Sequence, residues 1–238
     1  EQGGAAMNQL CAISGAELSV KPLMLDTPTH DFTQTHAMSM DELLDAMSAG
    51  AQAVNRDANI ILLGEMGIGN STISSALAAS IFGGDVADWV GAGTGSDEKG
   101  IAHKISVIKA GIAKHGLCSD LSALLAFGGR EQAAICGAIL AARAASIPVL
   151  LDGFICTAAA APLYALSSDL LEHCLVGHKS AELGHQKLLN AMHKTPILDL
   201  DMRLGEGTGA ALALSILRGA VACHNQMATL KALGIGDS

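Results

Sequence analysis

The sequence predicts an α/β fold built on an open, mostly parallel sheet with helices on both faces. Apolar, β-rich runs recur along the 238 residues, and stretches of helical length and periodicity separate them. Near-continuous apolar strands are typical of parallel sheets that are covered on both sides. Glycine-rich turns follow several of these runs, at the edge of the sheet where open α/β folds bind ligands. The expected arrangement is Rossmann-like.

The elements are predicted as follows, in chain order. Strands are expected over residues 18–25, 59–65, 147–154, 174–177 and 196–200. Helices are expected over residues 38–53, 71–82, 96–115, 131–146, 181–192 and 209–233. Ser39 and Glu42 have the spacing of a capping box at the start of the first helix. The helix at 131–146 is apolar nearly all the way round, so it should be buried on several sides.

Composition limits the partners and the compartment. The net charge of -9 and the lack of a basic cluster argue against a nucleic-acid partner. No apolar run approaches the ~18 residues that span a bilayer, so no membrane partner is expected. The six cysteines form no CxxC pair and most lie in apolar runs, which indicates a reducing, cytoplasmic location.

The first glycine-rich turn is GEMGIGNS, residues 64–71. It matches the phosphate-loop template G-x-x-x-x-G-K-[ST] at every fixed position except one, where Asn70 replaces the lysine. A strand leads into this turn and a helix follows it, so backbone N–H groups and the positive helix end converge on an anion site. Without the lysine, and with Glu65 nearby, the turn suits a single phosphate better than a triphosphate. The alternative is a strand-to-helix turn with no ligand.

The second turn covers residues 91–100 and leads into the helix that carries Lys104. Ser96 is the expected N-cap, with Asp97 and Glu98 in the first turn of the helix. Lys104 lies about two turns further on and could reach back toward the loop. Residues 96–99 match S-x-x-K, but the S-D-N and K-T-G motifs that accompany it in β-lactamases are absent from the sequence.

The third segment is HKSAELGH, residues 178–185, in which Ser180 is a candidate helix N-cap. Glu182 and His185 have the E-x-x-H spacing of di-iron bundles. Such bundles need a second copy of this motif, and the sequence has none. No metal ligands and no cofactor are therefore assigned.

The fourth segment is DLDMRLGEGTGA, residues 199–210. Glu206 lies between Gly205 and Gly207 directly ahead of an apolar helix, so the backbone can approach a ligand while one carboxylate projects into the cleft. This carboxylate is either a general base or a partner of the helix dipole.

Taken together, these segments resemble the nicotinate-nucleotide:dimethylbenzimidazole phosphoribosyltransferases of cobalamin lower-ligand synthesis. The resemblance runs in family order from about Gly3 to Gly234. It rests on GEMGIGNSTISSAL, VGAGTGSDEKGIAHK, FGGREQAAICGAILAA, PVLLDGFICTAAA, GHKSAELGH and LDLDMRLGEGTGAALAL. So many co-linear motifs are highly specific.

The resemblance implies a reaction and a set of site residues. A benzimidazole nitrogen attacks C1′ of nicotinate mononucleotide, nicotinate leaves, and α-ribazole 5′-phosphate forms with inversion. Glu206 matches the catalytic base, which would take the proton from the other benzimidazole nitrogen. The positions expected to bind substrate are Glu65, Gly67, Ile68, Gly69, Asn70, Ser71, Thr72, Gly95, Lys104, Ser180, Leu204 and Gly205.

The resemblance also implies an organisation for the chain. Residues 1–238 are expected to form a single α/β domain, with about 1–15 and 209–238 contributing to a small helical subdomain. Family members continue upstream of the position that matches Gly3, so this subdomain is expected to be incomplete here. The family is typically homodimeric.

Two other functions compete with the enzyme. A non-catalytic nucleotide-monophosphate binder would keep the phosphate loops but lack the pocket for the benzimidazole base. A P-loop kinase or ATPase is disfavoured by Asn70 and by the lack of a convincing magnesium-binding aspartate downstream.

Overall fold

The computed structural model describes residues 3–93 and 95–235. Its sheet has four parallel strands that lie in chain order: β1 (Ile61–Leu63), β2 (Val149–Leu151), β3 (Cys174–Ser180) and β4 (Pro196–Met202). Val149 pairs with Ile61 on one side and with Cys174 on the other, and the β3–β4 ladder becomes irregular at Lys179 and Ser180. The predicted parallel sheet is confirmed.

Helices cover both faces of the sheet. They are α1 (Ala6–Ser14), α2 (Met40–Gln52), α3 (Asn70–Phe82), α4 (Glu98–His115), α5 (Ser122–Phe127), α6 (Arg130–Ala144), α7 (Phe154–Leu166), α8 (Leu183–Ala191) and α9 (Thr208–Gln226). Val149 and Leu151 join the large core that α2 to α7 cover, whereas Leu150 packs with Ala210 and Ala213 of α9 on the opposite face. This alternation explains why the strands are apolar on both faces.

Helices α2 and α6 pack backbone against backbone. A Cβ added to Gly50 would lie 1.8 Å from the carbonyl oxygen of Ala134, and one added to Gly137 would lie 1.9 Å from that of Met47. Helix α6 is buried over most of its length, as its sequence predicts. The predicted capping box at the start of α2 is also confirmed, because Ser39 Oγ accepts from Glu42 N and Glu42 Oε2 accepts from Ser39 N.

The strand predicted over residues 18–25 is wrong. This segment is irregular and most of its apolar side chains are exposed, including Val20 and Leu25. Pro22 removes a backbone donor, and Met24 has a positive φ of 48°, which a strand residue does not adopt. An apolar run alone does not make a strand when its backbone cannot form the ladder.

Three helix ends differ from the prediction in their capping residue or by several residues. The N-cap of α4 is Asp97 rather than Ser96, because Asp97 Oδ1 accepts from Gly100 N at 2.8 Å. Ser180 ends β3, and the N-cap of α8 is Glu182, although Ser180 Oγ accepts from Glu182 N at 3.3 Å. Helix α9 ends at Gln226 instead of 233, because the backbone of Met227 is extended, with a φ of -68° and a ψ of 132°. The residues that follow are exposed as far as 235.

Several short or unusual elements escaped prediction. Helices α1 and α5 are short, and α7 contains Pro162 and a run of alanines that resembles neither a clear helix nor a strand. Two 3₁₀ turns, Val86–Trp89 and Ser168–Leu171, connect longer elements. Burial of α7 from Phe154 to Leu163 in the main core stabilises it despite the proline.

The two ends of the described chain meet, because α1 packs against α9. Arg218 of α9 donates a hydrogen bond to the carbonyl oxygen of Ser14 at the end of α1. The small helical subdomain remains a prediction. Within residues 3–93 and 95–235, every helix is too short or too polar to cross a membrane.

Replacing Gly137 by alanine tests the close packing of α2 on α6. We expect Gly137→Ala to push the helices apart and to lower the free energy of unfolding by roughly 1–3 kcal/mol. Gly219→Ala in α9 is the matched control, because a Cβ there meets nothing within 4 Å and should raise stability by roughly 0.5–1 kcal/mol. Urea unfolding measures both, and equal effects of the two substitutions would contradict the packing argument.

Candidate active site

A cavity of about 210 Å³ opens beyond the carboxyl ends of β1, β2 and β3. The loops after β1 and β2, the end of β3 and the turn before α9 form its walls. Residues that the sequence singled out supply about half of the lining: Glu65, Gly67, Gly69, Asn70, Ser71, Ser180, Leu204, Gly205 and Glu206. The parallel sheet therefore brings residues from distant parts of the sequence to one edge.

Four other predicted residues lie outside this lining. Ile68 and Gly95 are exposed, and Gly95 is next to residue 94, which is outside the described part of the chain. Thr72 is half-buried, and its backbone N–H donates to the carbonyl oxygen of Gly69 at 2.9 Å. Lys104 touches the cavity wall through Ser71, as described below.

Asn70, which replaces the phosphate-loop lysine, holds two carboxylates. Its side-chain nitrogen donates to Glu65 Oε2 and, at 3.2 Å, to Glu131 Oε1. Asn70 is 2% exposed and begins α3, and Gly69 before it has a φ of 85°. Gly67 leaves room for this cluster, because a Cβ there would lie 1.8 Å from Glu131 Oε1.

Glu65, one acid of this cluster, has a raised pKa. Burial raises the pKa of Glu65 from its ordinary value of 4.5 to about 7, and the negative charges of Glu131 and Asp152 act in the same direction. The hydrogen bond from Asn70 opposes this rise. Glu65 therefore exchanges a proton near neutral pH, whereas an exposed glutamate is fully ionised there.

Lys104 reaches back from α4 to the start of α3. Its Nζ donates to Ser71 Oγ at 3.2 Å. A Cβ on Gly93 would lie 3.0 Å from both Lys104 Nζ and Ser71 Oγ, so glycine keeps this spot open. A cation and a helix N-terminus thus face the same point, which suits an anion.

His185 fixes the backbone of Ser180 and is held in turn by Thr157. His185 Nδ1 accepts from Ser180 N at 2.8 Å, so its Nε2 carries the proton and donates to Thr157 Oγ1 at 3.2 Å. Burial, followed by the charges of His178 and Lys179, lowers the pKa of His185 to about 3, which keeps it neutral. Within residues 3–93 and 95–235, no three His, Cys, Asp or Glu side chains are grouped to hold a metal ion.

Glu206 projects from a turn of three left-handed residues. Gly205, Glu206 and Gly207 have φ values of 79°, 62° and 87°. Glycine adopts this conformation freely, but a glutamate in it is strained by about 1–2 kcal/mol. The turn packs on the loop after β1, since a Cβ on Gly64 would lie 2.5 Å from the nitrogen of Gly207.

Comparison with known proteins identifies the family. A profile of the phosphoribosyltransferase family matches residues 1–235. The nicotinate-nucleotide–dimethylbenzimidazole phosphoribosyltransferase of Rhodobacter capsulatus is 57% identical over 235 residues, which are 99% of this chain and 70% of that protein. The chain belongs to this phosphoribosyltransferase family. The protein of the same name from Roseobacter denitrificans is 54% identical over 238 residues, covering 100% of this chain and 71% of its own.

A solved structure agrees with this assignment. The crystal structure of CobT from Thermus thermophilus superimposes with a TM-score of 0.88 at 34% identity, covering 100% of this chain and 77% of that chain. The family resemblance that the motifs indicated is confirmed, as is the α/β fold.

Sequence reasoning assigned no catalytic or substrate-binding role to the other residues that line the cavity. They are Met66, Gly93, Asp152, Gly153, Phe154, Ile155, Cys156, His178, Glu182 and Arg203. One local signal existed for part of this set, because Asp152 and Gly153 directly follow the apolar strand β2. Cys156 is an unsuitable nucleophile, since burial raises the pKa of its thiol well above its ordinary value and its Sγ donates to Leu63 O.

Glu65→Gln should change how stability depends on pH. The raised pKa of Glu65 stabilises the folded state fully below pH 4.5, and this contribution is lost as the pH rises through about 7. Relative to Glu65→Gln, the wild-type free energy of unfolding should therefore fall by up to about 3 kcal/mol between pH 4.5 and about pH 8. The conversion is roughly 1.4 kcal/mol for each pKa unit.

Urea unfolding at several pH values measures this difference. Glu17→Gln, at an exposed glutamate, is the control and should keep the wild-type trend. Parallel pH profiles for the wild type and Glu65→Gln would show that Glu65 has no raised pKa.

Proposed function

We propose that this chain moves the phosphoribosyl group of nicotinate mononucleotide to 5,6-dimethylbenzimidazole, giving α-ribazole 5′-phosphate and nicotinate. The observation that carries the proposal is the arrangement of the cavity. Glu206, on its glycine-flanked turn, lines the same cavity as Ser71 at the start of α3, which Lys104 contacts. A general base and an anion site on one cavity are what a phosphoribosyl transfer needs.

The start of α3 would hold the 5′-phosphate. The first turn of this helix offers backbone N–H groups and the positive end of the helix dipole, and Ser71 adds a hydroxyl. Lys104 supplies one positive charge, which matches a monoester better than a triphosphate with its magnesium ion. Ser180, at the end of β3, lines the same cavity and is a further candidate donor to this group.

Glu206 would act as the general base. It takes the proton from one benzimidazole nitrogen while the other nitrogen forms a bond to C1′ of the ribose. The bond from C1′ to the pyridine nitrogen breaks at the same centre, its electron pair returns to the ring, and neutral-ring nicotinate leaves. Attack from the face opposite to the leaving group inverts the configuration at C1′.

The remaining cavity wall suits an aromatic base. Phe154, Ile155, Met66 and Leu204 contribute apolar surface to the lining. Glu65 lies beside the Glu206 turn, because a Cβ on Gly205 would lie 3.7 Å from Glu65 Oε1. We assign Glu65 to the ribosyl side of the cavity, where its carboxyl group can meet the positive charge that develops at C1′.

The enzyme is favoured over a non-catalytic nucleotide binder. The relatives that match along the whole chain are named as transferases, and the candidate base and the anion site occur together here. We also propose that the protein forms a homodimer and that it is located in the cytoplasm. Exposed apolar side chains on α1 and α9, among them Ile13, Ile216 and Val221, support self-association.

Substitution of Glu206 tests the catalytic assignment. The wild type should release nicotinate from nicotinate mononucleotide when dimethylbenzimidazole is present, and Glu206→Gln should lower kcat by about a hundredfold or more, since general base catalysis contributes roughly 10²–10⁴. Binding of nicotinate mononucleotide should persist. Chromatography of nicotinate measures turnover, and Glu172→Gln, at an exposed glutamate, is the control. Full activity of Glu206→Gln would remove Glu206 from the mechanism.

Substitution of Lys104 tests the phosphate site. Lys104→Ala should weaken binding of nicotinate mononucleotide about tenfold to a hundredfold, because it removes a charge-assisted hydrogen bond. Lys109→Ala on the same helix is the matched control, since Lys109 is exposed and pairs only loosely with Asp85 at 3.7 Å. Calorimetric titration measures both affinities. Equal affinities of the two variants would place the phosphate elsewhere.

A further inference from the structure

Asp152 is a buried carboxylate that the proposed chemistry does not use. It is 2% exposed and directly follows β2. Its backbone N–H donates to Leu63 O at 3.2 Å, and its carbonyl oxygen accepts from His178 N at 3.3 Å. Asp152 is thus held between β1 and β3, on the central part of the sheet edge.

The side chain of Asp152 binds the start of α9. Its Oδ2 accepts from Gly207 N at 3.1 Å and its Oδ1 accepts from Ala210 N at 2.9 Å. Gly207 is the N-cap of α9 and has no side chain with which to satisfy these donors. The Asp152 side chain, which follows β2, therefore caps the N-terminus of α9. An N-cap side chain does the same within its own helix.

The geometry of this cap bears directly on Glu206. Gly207 is both the N-cap of α9 and the last residue of the left-handed turn that carries Glu206. Strained backbone persists only where surrounding contacts hold it. Two hydrogen bonds that the backbone of Gly207 and Ala210 donates to a sheet-anchored carboxylate supply such contacts, the first of them one residue after the strained position.

The groups around Asp152 stabilise a negatively charged side chain at this position. The N-terminus of α9 is positive, and both carboxylate oxygens accept backbone hydrogen bonds. His178 Nε2 lies 3.6 Å from Oδ1 on the other side. His178 is fixed in turn, because its Nδ1 lies 3.1 Å from Lys179 O and its ring fills the space beside Gly153 and Gly209.

We propose that Asp152 is a positioning residue for Glu206, holding the turn 205–207 in the conformation that directs the Glu206 carboxylate into the cavity. The effect on catalysis in this inference rests on the proposed function. The hydrogen bonds to Gly207 and Ala210 stand independently of it. Asp152 acts through the backbone of the turn.

Asp152→Asn is the first test, because it keeps the shape but replaces one acceptor oxygen by an NH₂ group. Amide hydrogen exchange should show protection at Gly207 and Ala210 lowered about tenfold to a hundredfold, with Leu214 later in α9 little changed. Under transferase conditions, kcat should fall on the order of a hundredfold, since a small misplacement of a catalytic group has effects of this size. KM for nicotinate mononucleotide should change by less than about threefold.

Asp120→Asn is the matched control. Asp120 also accepts a backbone N–H, from Ser122 at 2.7 Å at the start of α5, but it is only partly buried and does not line the cavity. We expect this variant to keep the wild-type kcat and the wild-type exchange at Gly207. Asp152→Ser, which leaves a short hydroxyl acceptor, serves as the second variant if Asp152→Asn does not fold.

The outcomes separate this inference from the proposed function. Loss of amide protection with unchanged kcat, or an increase in KM alone, overturns the positioning role. Free exchange of Gly207 and Ala210 in the wild type shows that the hydrogen bonds are absent, and it overturns the inference without any variant. If the wild type releases no nicotinate, the proposed function fails, and the exchange result alone decides whether Asp152 holds the turn.

Discussion

The cavity depends on one close approach between two backbones. A Cβ on Gly64 would lie 2.5 Å from the nitrogen of Gly207 and 2.7 Å from the carbonyl carbon of Glu206, so only glycine lets the end of β1 meet the turn before α9. Glu65 follows Gly64 directly, and Glu206 precedes Gly207. The main chain, rather than flexible side chains, therefore sets the relative positions of these two residues. A site built on packed backbone in this way is preorganised for its ligand.

Placing several acids around one cavity creates a repulsion that the fold resolves differently at each position. At Asp152, two backbone N–H groups and the N-terminus of α9 stabilise the negative charge. At Glu65, burial dominates, and the raised pKa lets a proton reduce the charge near neutral pH. A ligand that carries a phosphate thus meets less negative charge than the count of acids implies. Lys104, at the phosphate end, adds the opposite charge.

The sequence predicted those parts whose signals are local. The loop between β1 and α3 combines an apolar strand, closely spaced glycines and a helix start, so its position at the sheet edge could be predicted. The strand predicted over 18–25 failed because an apolar run says nothing about partners, and Pro22 and the left-handed Met24 prevent a ladder. Ser96 and Asp97 are both good N-cap residues next to each other, and only the structure distinguishes them.

The role of Asp152 could not be predicted for a related reason. Its partners Gly207 and Ala210 are 55 and 58 residues away in sequence, and neither has a side chain that signals the contact. The position of His178 was equally hidden, since the residues it contacts, among them Asp152, Gly153 and Gly209, come from two other segments of the chain. Long-range contacts to backbone groups leave no pattern in a single sequence. They become visible only when the strand order is known.

These constraints explain why Asn70, rather than a lysine, follows Gly69 in the phosphate-loop sequence. A lysine at position 70 would stand between Glu65 and Glu131, where the amide of Asn70 now donates to both carboxylates. Its positive charge would lower the pKa of Glu65 and so oppose the rise that burial causes. Lys104 instead brings a positive charge from α4 to Ser71, on the next residue of the same helix turn. Separating the cation from the carboxylate cluster leaves the start of α3 free for one anionic group and keeps Glu65 able to exchange its proton near neutral pH.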